Sequence, residues 1–197
     1  MNLESNPGRG LIFGISDHLK DVEIDSLAQC DGAPIELVMS NPEKEFPLLY
    51  RHAKLLDKHP MRVRIPVTHG FDKALKVAAA LQFAVKLEPG QPTPELVPDL
   101  LDALDFYLHH QSVTQPIDFF HGALYSLYHH LPTTLWEIQE EAPPPDAPND
   151  ECGHCEFFRS CSGYFKFPRP EYDCDGVKSI LRKLSEAAGE LRMEAAA

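Results

Sequence analysis

No stretch of this 197-residue sequence approaches the ~20 consecutive apolar residues that a membrane-spanning helix needs. The segment from Met1 to Gly8 has neither the basic n-region nor the apolar h-region of a secretion signal, so a cytoplasmic location is expected. Basic charge is also scarce. Eighteen Lys and Arg stand against 30 Asp and Glu, a net charge of −12 with neutral His, which is the wrong sign for nucleic-acid phosphates or anionic lipid. The expected partner is therefore a protein or a small molecule. There is no Walker loop, no His-Glu-x2-His and no Gly-x-Ser-x-Gly. Gly8-x-Gly10-x3-Gly14 has the wrong spacing for a dinucleotide fingerprint and precedes an expected strand instead of following one. Cysteine is nearly missing before residue 152: Cys30 stands alone ahead of the turn-forming Asp31-Gly32-Ala33-Pro34 and reads as a plain buried or semi-buried thiol.

What is present suffices for a folded core, with 43% hydrophobic and 24% charged residues, while 18 prolines, roughly twice the ~5% share of an average chain, punctuate many short elements. Four β-type runs recur: Leu11–Ile15, Ile35–Met39, Arg62–Val67 and Ala84–Leu87, their starts 24, 27 and 22 residues apart. Helical patterns lie between them, with Leu48, Leu49, His52, Leu55 and Leu56 on one face, then Ala74, Leu75, Ala78, Ala79 and Leu81. Strand, helix, strand at this spacing predicts βαβ units and an α/β fold, with a parallel sheet that is open or forms part of a barrel. Further helices are expected through Leu96, Leu100, Leu101, Leu104 and Leu108, and from Ile117 to His130. From Glu137 to Glu151 come six acidic residues, four prolines and no basic residue, the composition of a linker. The expected organisation is an α/β partial-barrel-like domain over 1–136, a linker over 137–151 and a cysteine-bearing segment over 152–197. That segment closes on a helix carrying Val177, Ile180, Leu181, Leu184, Ala188 and Leu191, announced by Asp173 and Asp175.

The chemistry concentrates in Cys152-x2-Cys155-x5-Cys161-x12-Cys174. A pair spaced by two grips one metal centre from a tight turn; a third and a fourth thiolate then complete either tetrahedral zinc or a single cubane cluster. Six of the 18 aromatic residues (Phe157, Phe158, Tyr164, Phe165, Phe167 and Tyr172) fall between 157 and 172, enough to wall a cluster off from water. Arg159, Lys166, Arg169 and Lys178 supply cations that would offset a four-thiolate charge. These surroundings favour iron–sulfur over zinc, which would expect a second Cys-x2-Cys knuckle or a His pair that the sequence lacks, although His154 sits inside the first knuckle; unmetallated thiols are the remaining alternative. Polar residues near the expected strand ends (Asp17, His18, Asn41, His69 and Glu88) stand where α/β folds place ligands, although loop polarity and capping explain them equally well. The adjacent pairs His109-His110 and His129-His130 read as surface or capping groups.

The cysteine spacing resembles the second auxiliary-cluster half of a SPASM domain, the C-terminal extension of many peptide-modifying radical S-adenosylmethionine (SAM) enzymes. Cys-x-Gly-Tyr-Phe-Lys-x-Pro from Cys161, leading to Tyr172-Asp173-Cys174-Asp175-Gly176-Val177-Lys178 on a short chain with a βαβ front half, is similar to the stand-alone SPASM-domain proteins of the GeoRSP system. The resemblance implies that Cys152, Cys155, Cys161 and Cys174 ligate one auxiliary [4Fe–4S] cluster, and that the partners are a radical SAM/SPASM protein and a PqqD-like protein, with a peptide as the substrate. The full pattern has a further cysteine four residues after the third; here that position is Phe165, so a single cluster is implied. A radical SAM site needs Cys-x3-Cys-x2-Cys, which this sequence lacks, so radical generation would belong to the partner. Two readings from other classes stay beside this one: a zinc-stabilised interaction module, and an α/β enzyme acting on a small molecule at its strand ends.

Overall fold

The computed structural model describes residues 15–21, 24, 32–143 and 150–196. Four short strands, β1 (Ile15–His18), β2 (Ile35–Val38), β3 (Met61–Pro66) and β4 (Ala84–Glu88), form one parallel sheet in the order β1-β2-β3-β4. Sequential order means that every crossover steps the same way, as in a section of a βα barrel left open at its edge. The α/β expectation holds. Three of the four strands lie where the β-type runs stand, whereas β1 falls at 15–18 and shares only Ile15 with the expected 11–15; Leu11–Gly14, like Gly8 and Gly10, lie outside the described residues. Ser16, Asp17 and His18 are exposed on an edge strand, so that element carries no apolar signal.

Side chains alternate across the sheet. Ile35, Leu37, Met61, Val63, Ile65, Val85 and Leu87 are buried on one face, in the same core as Phe71, Ala74, Leu75 and Ala78 of the helix Phe71–Ala80. The stretch Pro42–Leu55 breaks into α1 (Pro42–Glu45) and α2 (Leu49–His52), each followed by a 3-10 turn, because Pro47 removes a backbone donor. With Phe71–Ala80 as α3, the chain continues through α4 (Val97–His109), α5 (Asp118–Tyr128), α6 (Leu135–Ile138), α7 (Asp150–Gly153), α8 (Phe158–Cys161) and α9 (Asp175–Ala195). None of the described helices is long and apolar enough to cross a membrane.

The first residues of the acidic, proline-rich stretch are packed, contrary to its linker composition. Glu137 closes a capping box with Thr134 at the start of α6. Gln139 is fully buried and donates from Nε2 to Leu87 O at 3.2 Å, and Glu140 pairs with two basic side chains of the sheet. Residues 144–149 lie outside the described set. Phe165, Val177, Ile180, Leu181 and Leu184, from beyond this stretch, share one core with the sheet residues.

Candidate metal centre

The local chain folds so that the four cysteines of the motif meet. Cys155 N–H donates to Cys152 O at 3.1 Å, closing the tight turn that a two-residue spacing allows, and Phe158 N–H donates to Cys155 O at 3.0 Å to open α8. Cys161 is the last residue of that helix. Ser162 (φ 47°) and Gly163 (φ 77°) then take left-handed conformations in succession, which ends the helix and turns the chain sharply after Cys161. The amides of Phe165, Gly163 and Tyr164 hydrogen-bond the Cys161 sulfur. Cys174 returns as the N-cap of α9, at the end of the helix dipole that favours negative charge.

All four thiols line a single pocket together with Phe157, Phe158, Phe165, Lys166, Val177 and Lys178, and the cavity between them is about 30 Å³. Cys152 is buried and the other three are half-buried. Burial, the dominant cause, pushes the Cys152 and Cys161 thiols up and takes Cys174 to about 11; neighbouring sulfurs push the same way, while Lys166 and Lys178 oppose it at Cys152 and Cys174. A metal must therefore displace protons here, so loading releases protons and strengthens as pH rises. Lys166 is itself buried, its Nζ held by Glu151 Oε2 at 2.7 Å and Tyr172 O at 2.8 Å; Lys178 is fixed by Asp175 at 3.1 Å.

Of the other residues expected around the cysteines, several lie elsewhere. Arg169 turns away and donates from Nε to Gln91 Oε1 at 2.8 Å, and Arg159 does not line the pocket. Phe157, Phe158 and Phe165 wall the thiols, whereas Tyr164 and Phe167 pack on Trp136, whose Nε1 donates to Ser162 O at 3.0 Å. Phe165, standing where the resembling pattern has a cysteine, is a core residue edge-on to Phe119. Cys30 lies outside the described residues. Among the described residues no group of three or more His, Cys, Asp or Glu is arranged to hold a metal ion, so the thiols share a pocket without forming a closed ligand sphere. As a donor set they fit iron–sulfur or zinc: four sulfurs, an aromatic wall, two ammonium groups and directed amides.

The strand-end candidates separate. Asn41 caps α1 by accepting from Lys44 N–H at 3.3 Å, His18 pairs with Ser40, and the His109-His110 and His129-His130 pairs are exposed at helix ends. Glu88 alone joins a larger constellation, missed in the sequence: Arg62, Arg64 and Lys86 with Glu36, Glu88, Asp118 and Glu140. Arg62 is buried and contacts Glu36 at 2.6 Å, Asp118 at 3.1 Å and Glu140 at 3.0 Å. Burial pushes Asp118 up to about 6 against the pull of Arg62; burial also raises Glu140, but its bonds to Arg62 and Lys86 override this and hold it at about 2. The available signal was the charge at every second position of β3 and β4, since parallel strands covered on both faces run almost wholly apolar. Every cation in this set is already paired with carboxylates of the chain, so the arrangement reads as a structural ion cluster. Comparison with protein-family models, with curated proteins and with solved structures finds no match.

Proposed function

We propose that this chain is an iron–sulfur accessory protein of a radical SAM peptide-modification system, holding one auxiliary [4Fe–4S] cluster on Cys152, Cys155, Cys161 and Cys174. The observation that carries the reading is the convergence of these four cysteines on one aromatic-walled pocket containing Lys166 and Lys178. The partners that follow from the motif are a radical SAM/SPASM protein and a PqqD-like protein. When bound, the cluster supplies electron transfer or a covalent staple for the loop. Four thiolate ligands leave no iron open to substrate, which sets aside direct substrate activation. The chain's own part is to exclude water with Phe157, Phe158 and Phe165, to offset thiolate charge with Lys166 and Lys178, and to donate amide hydrogen bonds to the Cys161 sulfur.

A second reading, a zinc-stapled interaction module, has its own support in the 30 Å³ cavity, which accepts a single ion with less movement of the thiols than a cubane requires. Iron, acid-labile sulfide and zinc analysis of anaerobically purified protein distinguishes the two. One cluster per chain, unchanged in Cys30→Ser and lost in Cys155→Ala, is the expected result. Stoichiometric zinc with negligible iron would sink the iron–sulfur reading in favour of the module.

A further inference from the structure

A second cavity, of about 500 Å³, opens on the other side of Tyr172. That volume lies within the range of ligand pockets, roughly 300–1,000 Å³. One wall comes from the β4–α4 connection, where Pro92, Pro94, Val97 and Pro98 give an apolar surface poor in backbone donors. The other comes from Arg169 to Gly176. The base is sealed where α9 begins against α4, because a Cβ on Gly176 would come within 2.7 Å of Val97 Cγ2.

The charges lining it are unequal. Arg169 is held by neutral partners, Gln91 and the Tyr172 ring at 6.0 Å, which fix its position and leave its charge in place. Glu171 and Asp173 are exposed carboxylates with no salt bridge to any described cation, and Asp173 only accepts the Asp175 N–H at 2.9 Å. Two carboxylates against the one guanidinium leave the lining of a mostly apolar cleft one charge negative, on a molecule whose net charge of −12 already attracts cations. We propose that this cleft binds an extended peptide segment of a partner that lays an apolar backbone along the proline wall and presents a Lys or Arg to Glu171 and Asp173. The proposal takes from the function above only that the chain meets a peptide or protein; none of the four cysteines lines the cleft.

The cleft also adjoins the thiols through one residue. Tyr172 donates from its hydroxyl to Pro92 O at 2.8 Å, while its carbonyl accepts from Lys166 Nζ at 2.8 Å and stands 3.8 Å from Cys174 Sγ.

The test is fluorescence anisotropy on the full chain, using a labelled peptide of alternating proline and lysine and its proline–glutamate counterpart, with iron and zinc measured on the same samples. The lysine peptide is expected to bind and the glutamate peptide not. Glu171→Lys should weaken the lysine peptide about five-fold or more, while Glu190→Lys, an equal charge change on exposed α9 surface, leaves it within about two-fold. Thr93→Trp, which fills the cleft without changing charge, should abolish binding. Equal affinity for both peptides, or indifference to both Glu171→Lys and Thr93→Trp, would overturn the proposal. Metal content judges the other reading separately: protein free of iron that binds the lysine peptide at the cleft keeps this proposal and removes that one, and fully loaded protein that does not bind it does the reverse.

Discussion

Glu140 is half-exposed, yet its carboxylate is the meeting point of Arg62 and Lys86, both buried in the sheet. Its folded value of about 2 lies below the ordinary 4.5, so the stabilisation it gives is present above about pH 4.5 and is lost as pH falls through about 2. Glu140→Gln should lower stability at pH 7 by about 1 kcal/mol, discounted for the water that screens its exposed side. Chemical denaturation from pH 7 down to 2 should show the difference between the two proteins closing over that interval. Asp118 works in the opposite sense: its value of about 6 makes its contribution greatest in acid and lost as pH rises through 6. The cysteines could be read from spacing alone because a thiol has few other reasons to recur at those intervals. The ion cluster could not, since Asp118 and Glu140 reach Arg62 across 56 and 78 residues and no local spacing records that meeting.

Among elements, the clearest joint between metal loop and core is the 3-10 turn Tyr164–Lys166. Phe165 carries it: 1% exposed, edge-on to Phe119 at 6.5 Å, with its carbonyl accepting from Gln91 Nε2 at 2.9 Å. Phe165→Ala should cost about 3–5 kcal/mol in urea unfolding, the range for emptying a buried aromatic site. Phe165→Leu should cost markedly less, and an equal small loss in both would show that the turn is not anchored in the core. The long helices were readable because periodicity accumulates over several turns: α4 runs Val97–His109 against an expected apolar face from Leu96 to Leu108, and α9 buries Val177, Ile180, Leu181, Leu184 and Ala188. The described part of β1 was not legible because its four exposed or half-buried residues give no such accumulation. The packing of Gln139 and Glu140 was hidden because acidic residues beside prolines look solvated until the sheet supplies their partners.

At the scale of the molecule, α9 lies along α5 and supplies the core that the sheet shares with the cysteine segment. Four of its buried side chains, Val177, Ile180, Leu181 and Leu184, at about 1.5–3 kcal/mol each, amount to as much as the 5–15 kcal/mol that holds an average domain together. A fragment of residues 1–136 is therefore expected to show no cooperative thermal transition, while the whole chain shows one. A sharp transition in the fragment would mean that the front half is a domain in its own right.

The same architecture leaves the chain with a built-in optical gauge. Its one tryptophan sits in α6 with its indole N–H tied to the residue that follows Cys161. Light at the long-wavelength edge of indole absorption, which the six tyrosines do not take up, therefore excites a single ring hydrogen-bonded to the thiol loop, and any event that reshapes that loop, or sets a light-absorbing centre beside it, is written into the protein's own glow without a label.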